Sequence, residues 1–269
     1  MSGPSPDRFK QWVRDHLLPE RLWPAVERTY QAVRPFLYSG ARFECPCCGG
    51  HFRKLRPFGR PPRANAWCPK CGSLERHRLL WLYLHDRTNL FTHDLRILHL
   101  APEKVLQDLM APLPNVDYTS ADLDSPLAMA AVDIVDLPWA ADTFDAVLCS
   151  HVLEHIPDDR RAMRELLRVL KPGGWAILQV PLDRTRAGTY EDPAIVAPDA
   201  RERAFGQHDH VRVYGLDYAD RLQQVGFDVT VDDYVKKLPP GQVEKHALSR
   251  DEDIYFCGKP HNHPASMSV

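Results

Sequence analysis

From Leu95 onward the chain alternates short apolar runs with helical segments, and few folds satisfy that rhythm. RILHL reads as a strand, followed by a helix around Glu103–Met110, and VDYTSA is the next strand, ending at Asp122. A short strand is expected near Ala131–Ile134 and another at DAVLCS, followed by a helix from about Asp158 to Leu170 that stops at Pro172-Gly173-Gly174. WAILQV is a fifth strand. LDYADRLQQVGF is a helix closed by Gly226, DVTVDDYV a strand and DIYFCG the last strand. Strands separated by helices of this length make a parallel sheet with helices on both faces. Such sheets take ligands at the carboxyl ends of their strands. The polar stretch 181–210 has no clear period and reads as a lid or substrate loop.

The N-terminal third is different. Residues 7–37 carry a helical apolar period through Phe9, Trp12, Val13, Leu17, Leu22, Val26, Tyr30 and Val33, and Pro19 and Pro24 are expected to split it into two helices. Residues 42–74 are rich in Cys, Gly, Pro and Arg and have no helical period; a linking helix then covers 75–94. The expected organisation is therefore helices over 1–41, a Cys-rich ribbon over 42–74, the linking helix over 75–94, an α/β domain over 95–259 with the insertion 181–210, and a disordered tail over 260–269.

Cys45, Cys48, Cys68 and Cys71 form a C-x2-C…C-x2-C array with nineteen residues between the pairs, each pair followed by Gly49 or Gly72. Four thiolates suit a closed, tetrahedral, structural zinc site with no open position for catalysis. Cys47 is the spare thiol inside the first knuckle, and Cys149 and Cys257 belong to apolar strands. Seven cysteines with no apolar leader point to a reducing, cytoplasmic setting rather than a disulfide framework. No apolar run reaches membrane-spanning length.

The formal net charge is −2, which excludes a polycationic nucleic-acid binder as a whole. From Arg42 to Arg78, however, nine Lys/Arg face two Asp/Glu, a balance of +7, so the remainder carries −9. Arg53, Lys54, Arg56, Arg60, Arg63 and Lys70 decorate the ribbon and would suit phosphates of RNA or of a nucleotide-linked substrate.

The run DIVDLPWAADTFDAVLCSHVLEHIPDDRRAMRELLRVLKPGGWAILQVP closely resembles the central signature of class I methyltransferases of the methyltransferase-11 group. Its hallmarks are Asp136-Leu137-Pro138, Asp142-Thr143-Phe144-Asp145, His151-Val152-Leu153-Glu154-His155 and Arg168-Val-Leu-Lys-Pro-Gly-Gly174. The resemblance covers residues 95–258 and implies a Rossmann-like sheet of seven strands, the last inserted antiparallel, and S-adenosyl-L-methionine as cofactor. Asp122, or its neighbour Asp124, stands where a carboxylate accepts the ribose hydroxyls, and the resemblance puts the adenine at Asp136 and Leu137. Leu123 and Ser150 complete the expected cofactor contacts.

The first turn departs from that pattern. It reads Ile97-Leu-His99-Leu-Ala101-Pro102-Glu103, and no glycine occurs between Gly72 and Gly173. His99 takes the usual acid position, while Pro102 has no N–H to offer. The methionine end of the cofactor then needs other partners: Glu103 for its ammonium, and Arg76, His77 or Arg78 for its carboxylate. A bacterial subgroup with this turn and a ribbon leading into CGSLERHR is similar.

His151, His155, His208 and His210 are the candidate general bases. Tyr190, Gln207, Arg212 and Tyr214 are candidate acceptor contacts in a polar pocket, with Glu191 beside them. The expected activity is methyl transfer to a polar small molecule or sugar. The alternatives are an RNA methyltransferase docking through the ribbon, and a non-catalytic scaffold with a degenerate methyltransferase fold.

Overall fold

The computed structural model describes residues 20–59 and 61–261. The helix expected over 7–19, Arg60 and the tail from 262 lie outside the described residues. The chain divides into two compact units: the described residues up to Arg78 with Gly241–Leu248, and Leu79–Pro240 with those from Ser249 on.

In the first unit, α1 (Trp23–Leu37) is followed by β1 (Ser39–Cys45), β2 (Gly50–Phe52), β3 (Arg56–Phe58) and β4 (Arg63–Trp67). Pro24 falls in the first turn of α1, where the helix needs no proline N–H. β1 pairs antiparallel with β2, and β3 with β4. Each cysteine knuckle closes on a left-handed glycine. Gly49 donates to the Cys45 carbonyl at 2.9 Å and Gly72 to that of Cys68 at 3.1 Å, with φ of 62° and 78°.

Gly241–Leu248 joins this unit although it lies far downstream in sequence. The tie is Arg78, which is 0% exposed and sits near the start of α2 (Glu75–Arg87). Its Nε donates to the His246 carbonyl at 2.7 Å, Nη1 to Ala66 at 3.0 Å and Ser73 at 2.9 Å, and Nη2 to Asn65 at 3.4 Å and Ala247 at 2.6 Å. Lys245 adds an ion pair to Glu44 at 2.7 Å.

The second unit holds the sheet. Its strands are β5 (Leu95–Leu100), β6 (Val116–Asp122), β7 (Ala130–Ala131), β8 (Phe144–Ser150), β9 (Leu170–Gln179), β12 (Asp228–Asp232) and β13 (Ile254–Gly258). The order is β12-β13-β9-β8-β5-β6-β7. β13 runs antiparallel to both neighbours and the other pairs are parallel, as the closing helix–strand–strand order implies. β7 is two residues long, shorter than the Ala131–Ile134 run suggests, and β9 begins at Leu170, before the Pro-Gly-Gly turn.

Period-two alternation assigns the faces. Leu98, Leu100, Val147, Cys149, Ala176 and Leu178 share a core with Met163, Leu166 and Leu167 of the helix Asp159–Val169 and with Tyr218 and Leu222 of the helix Tyr218–Val225. The opposite face carries Phe256, whose ring lies 6.3 Å from that of Tyr83 on α2. The stretch 181–210 is not a featureless loop. It contains a helix at Pro198–Phe205, opened by proline and closed by left-handed Gly206, and Tyr190–Glu191 pairs antiparallel with Arg212–Val213. Among the described residues no helix is long and apolar enough to cross a membrane.

Candidate active site

Three parallel strands end side by side, and their carboxyl ends open a cavity of about 470 Å³. That lies within the ~300–1,000 Å³ of small-molecule sites. Leu100 and Ala101 border it from β5, Asp122, Leu123 and Asp124 from β6, and His151, Val152 and His155 from the turn after β8. Asp133 and Asp209 add carboxylates to the rim, and Ile134 lies beside Asp133. A second cavity of about 440 Å³ lies between the Gly173–Trp175 turn and Gly258–His261, at the other end of the strands.

The turn after β5 keeps a left-handed backbone without glycine. Ala101 has φ of 47° and its amide donates to the Ala121 carbonyl at 2.9 Å. That conformation costs a non-glycine residue roughly 1–2 kcal/mol, and the methyl group of alanine still lets the backbone border the cavity. His99 is fully buried behind the turn, with Nδ1 2.8 Å from the Tyr118 hydroxyl and Nε2 3.0 Å from Glu103 Oε2. His99, Pro102 and Glu103 therefore support the turn from behind; the cavity lining itself holds Ala101.

Asp122 accepts from the amides of Asp124 at 2.8 Å and Ser125 at 2.7 Å, both through Oδ1. This shapes the loop after β6 and leaves Oδ2 as a further acceptor. Asp136 and Leu137 lie off the cavity. Leu137 is 4% exposed in the core, and its amide is taken by Glu165 Oε2 at 2.9 Å, so it has no N–H for an adenine. The residues of this loop that line the cavity are Asp133 and Ile134, three positions earlier. Ser150 is buried in register with Gln179 and does not line the cavity.

Arg78 is excluded as a cofactor partner by its own saturation, since its donors all end on backbone carbonyls of the first unit. Arg76 is half-buried, and its Nε has no hydrogen-bond partner among the described residues.

The turn after β8 is also strained: His151 has φ of 56°. Its Nδ1 lies 3.4 Å from Glu154 Oε1, and His155 Nδ1 lies 3.3 Å from Asp209 Oδ2. His210 is buried edge-on to His155, ring centroids 4.7 Å apart. Burial pushes its imidazole below the ordinary histidine value, against the pull of Glu154. His208 and Gln207 are exposed and outside the lining.

Arg212 and Tyr214, expected at the acceptor, are inside the fold. Arg212 is 2% exposed and donates to Glu191 at 2.9 Å and to the carbonyls of Leu153 at 2.9 Å, Ile156 at 2.5 Å and Pro157 at 2.8 Å. The Tyr214 hydroxyl donates to Asp159 Oδ2 at 2.7 Å, and Arg221 Nη2 meets both Asp159 oxygens at 3.0 and 2.9 Å. This network fixes the His151–Pro157 turn, and the Arg212 nitrogens are all engaged inside the fold. Tyr190 packs between Phe205, at 5.6 Å, and the Arg186 guanidinium, at 5.1 Å, away from the cavity.

In the first unit the four thiols converge. Cys45 Sγ is 3.7 Å from Cys71 Sγ, Cys48 Sγ is 3.8 Å from Cys68 Sγ, and all four lie within 4.8 Å of one another. Zinc bound tetrahedrally at ~2.3 Å spaces its sulfurs ~3.8 Å apart, so the cluster fits that ion. The Ser73 hydroxyl stands 3.2 Å from Cys45 Sγ. Cys47 turns away toward the His77 carbonyl at 3.8 Å. Much of the ribbon's positive charge is engaged: Arg56 stacks on Trp67 at 4.1 Å, Arg63 pairs with Glu75 at 3.0 Å, and Arg53 and Lys70 donate to backbone carbonyls.

The family match falls in the second unit. Residues 106–178 match the family model described as a methyltransferase domain. The chain is 30% identical over 103 residues to a demethylmenaquinone methyltransferase of Mycobacterium marinum, covering 37% of this chain and 45% of that protein. It is 34% identical over 103 residues to a 2-phytyl-1,4-naphtoquinone methyltransferase of Synechococcus elongatus, covering 36% and 44%. The matched stretch thus spans less than half of either relative. Among solved structures, a Burkholderia thailandensis 1,6-didemethyltoxoflavin-N1-methyltransferase with bound 1,6-didemethyltoxoflavin and S-adenosylhomocysteine is similar at 15% identity and a TM-score of 0.43, covering 67% of this chain and 76% of that one. The family match begins just past the unusual turn and takes in Asp122, Asp133, His151 and His155. The chain is thus similar to methyltransferase domains over residues 106–178, and its seven-stranded sheet has the Rossmann-like methyltransferase fold.

Proposed function

We propose that the chain is a cytoplasmic S-adenosylmethionine-dependent methyltransferase acting on a polar small molecule or sugar-type acceptor. The observation that carries this reading is the cavity at the carboxyl ends of β5, β6 and β8, with Asp122 at its rim and the family match running through its lining. The cofactor, when bound, supplies a methyl group on a sulfonium. Asp122 accepts the ribose hydroxyls through Oδ2, and Asp133 with the Ile134 amide faces the adenine. His151 takes a proton from the acceptor, oriented by Glu154.

Support for a polar acceptor comes from the ionisable rim of His151, His155 and Asp209. The relatives named for quinone substrates share only about a third of this chain. The test supplies methyl-labelled cofactor with a nucleotide sugar, a hydroquinone or total RNA. Label is expected in the sugar-type acceptor; label in RNA or in the hydroquinone alone would contradict the acceptor reading. The RNA alternative is weakened by the engaged ribbon cations.

We also propose that Cys45, Cys48, Cys68 and Cys71 hold one structural zinc ion. Metal binding and local folding are coupled in such sites. Protein purified without chelators should contain one zinc at this cluster, and Cys68→Ser should lose it and expose the first unit to protease. Finding less than half an equivalent in the unaltered protein would count against the site.

A further inference from the structure

Glu154 is an anomaly. It is 1% exposed, and among the described residues no lysine or arginine pairs with it. One carboxylate oxygen faces His151 Nδ1 at 3.4 Å, while the other, Oε2, is buried with no hydrogen-bond partner. A carboxyl oxygen buried this way is a costly feature that a bound cation would satisfy. Arg212 and Arg221, the nearby guanidiniums, are committed to Glu191 and Asp159.

Two imidazoles converge on the same place. Glu154, His155 and His210 each offer a ligand atom, and these atoms lie within 4.8 Å of one another. The two segments that supply them are locked together: the Val211 amide donates to the Glu154 carbonyl at 2.9 Å, and Arg212 grips the carbonyls of Leu153, Ile156 and Pro157. The cluster is thus preorganised, as a metal site must be. Asp209 meets one ring nitrogen of His155 at 3.3 Å, the carboxylate–histidine arrangement that orients a ligating imidazole.

We propose that Glu154, His155 and His210 bind a divalent first-row transition-metal ion. Two histidines and one carboxylate suit zinc, manganese or iron(II) and leave coordination positions open. His155 and Asp209 both border the cavity, which brings the cluster to its edge. An ion there would make a bound acceptor hydroxyl more acidic, which suits an oxygen acceptor. That last consequence rests on the methyltransferase reading; the ion site does not.

The test uses the full chain with its thiolate cluster zinc-loaded. Manganese(II) is added and the free ion is followed by electron paramagnetic resonance, since soft thiolates compete poorly for manganese. One saturable manganese per chain is expected, weakened at least ten-fold in Glu154→Gln and in His210→Asn. Copper(II) in the wild-type protein should show imidazole-nitrogen modulation in electron spin echo, a readout that needs no variant. Absence of a saturable ion in the wild type, or binding unchanged in both variants, overturns the proposal. S-adenosylhomocysteine is titrated in parallel. Manganese binding without cofactor binding would sink the methyltransferase reading and keep the ion, and the converse would do the opposite.

Discussion

Arg78→Ala should unfold the first unit. The side chain is wholly buried and spends five hydrogen bonds on carbonyls of Asn65, Ala66, Ser73, His246 and Ala247. These carbonyls come from β4, from the turn after the second knuckle and from the Gly241–Leu248 segment. Removing the guanidinium takes a donor from each of them, although the Ser73 carbonyl keeps the Cys68 amide at 2.9 Å. Loss of such a buried, hydrogen-bonded charge costs about 3–5 kcal/mol, a large part of the ~5–15 kcal/mol that holds a domain together. Arg78→Lys should rescue little, because three ammonium donors on one point cannot replace a planar fork. Limited proteolysis and urea unfolding check this. A loss under about 1 kcal/mol in the alanine variant would show that the segment is held by other contacts.

The second large effect belongs to Arg212→Ala. A substrate-binding arginine, once removed, weakens substrate binding and leaves the melting temperature nearly unchanged. Arg212 should behave otherwise, because it ties Glu191 to three carbonyls of the turn that carries His155. The expected cost is again about 3–5 kcal/mol, which lowers Tm by roughly 10 °C in a domain of this size. Methyl transfer should fall with it, as the His151–Pro157 turn loses its anchor. A variant with wild-type Tm and only a raised KM would return Arg212 to the acceptor pocket.

Much of the fold is legible in the sequence because it follows from periodicity. The alternation after Leu95 yields a parallel sheet, and the closing helix–strand–strand together with the family resemblance yields antiparallel β13, while the order of the strands comes from the structure. The cysteine spacing marks the thiolate cluster for the same reason, since two short knuckles with trailing glycines have few other uses. The site was less legible. Asp133 and Asp136 are both acids in a loop with no period, and only the fold shows that Asp133 reaches the cavity while Leu137 is spent on Glu165. Arg78 and Arg212 look like site residues in sequence because both stand beside histidines or carboxylates. Their partners are backbone carbonyls up to 169 positions away in the chain, which no local pattern reveals. Ala101 shows the reverse: a glycine-free turn reads as a lost cofactor motif, yet the chain keeps the left-handed bend with alanine.

In the proposed reading the cavity at the ends of β5, β6 and β8 holds an adenosyl cofactor through Asp122. Calorimetric titration of S-adenosylhomocysteine into the wild-type protein and Asp122→Ala tests it most directly. One site per chain is expected, weakened about ten- to a hundred-fold in the variant, the equivalent of ~1.5–3 kcal/mol for a charge-assisted hydrogen bond. Asp122→Asn, which keeps an oxygen for the Asp124 and Ser125 amides, separates loss of the ribose acceptor from collapse of the loop. No binding by the wild-type protein, or equal affinity in wild type and Asp122→Ala, would contradict the account.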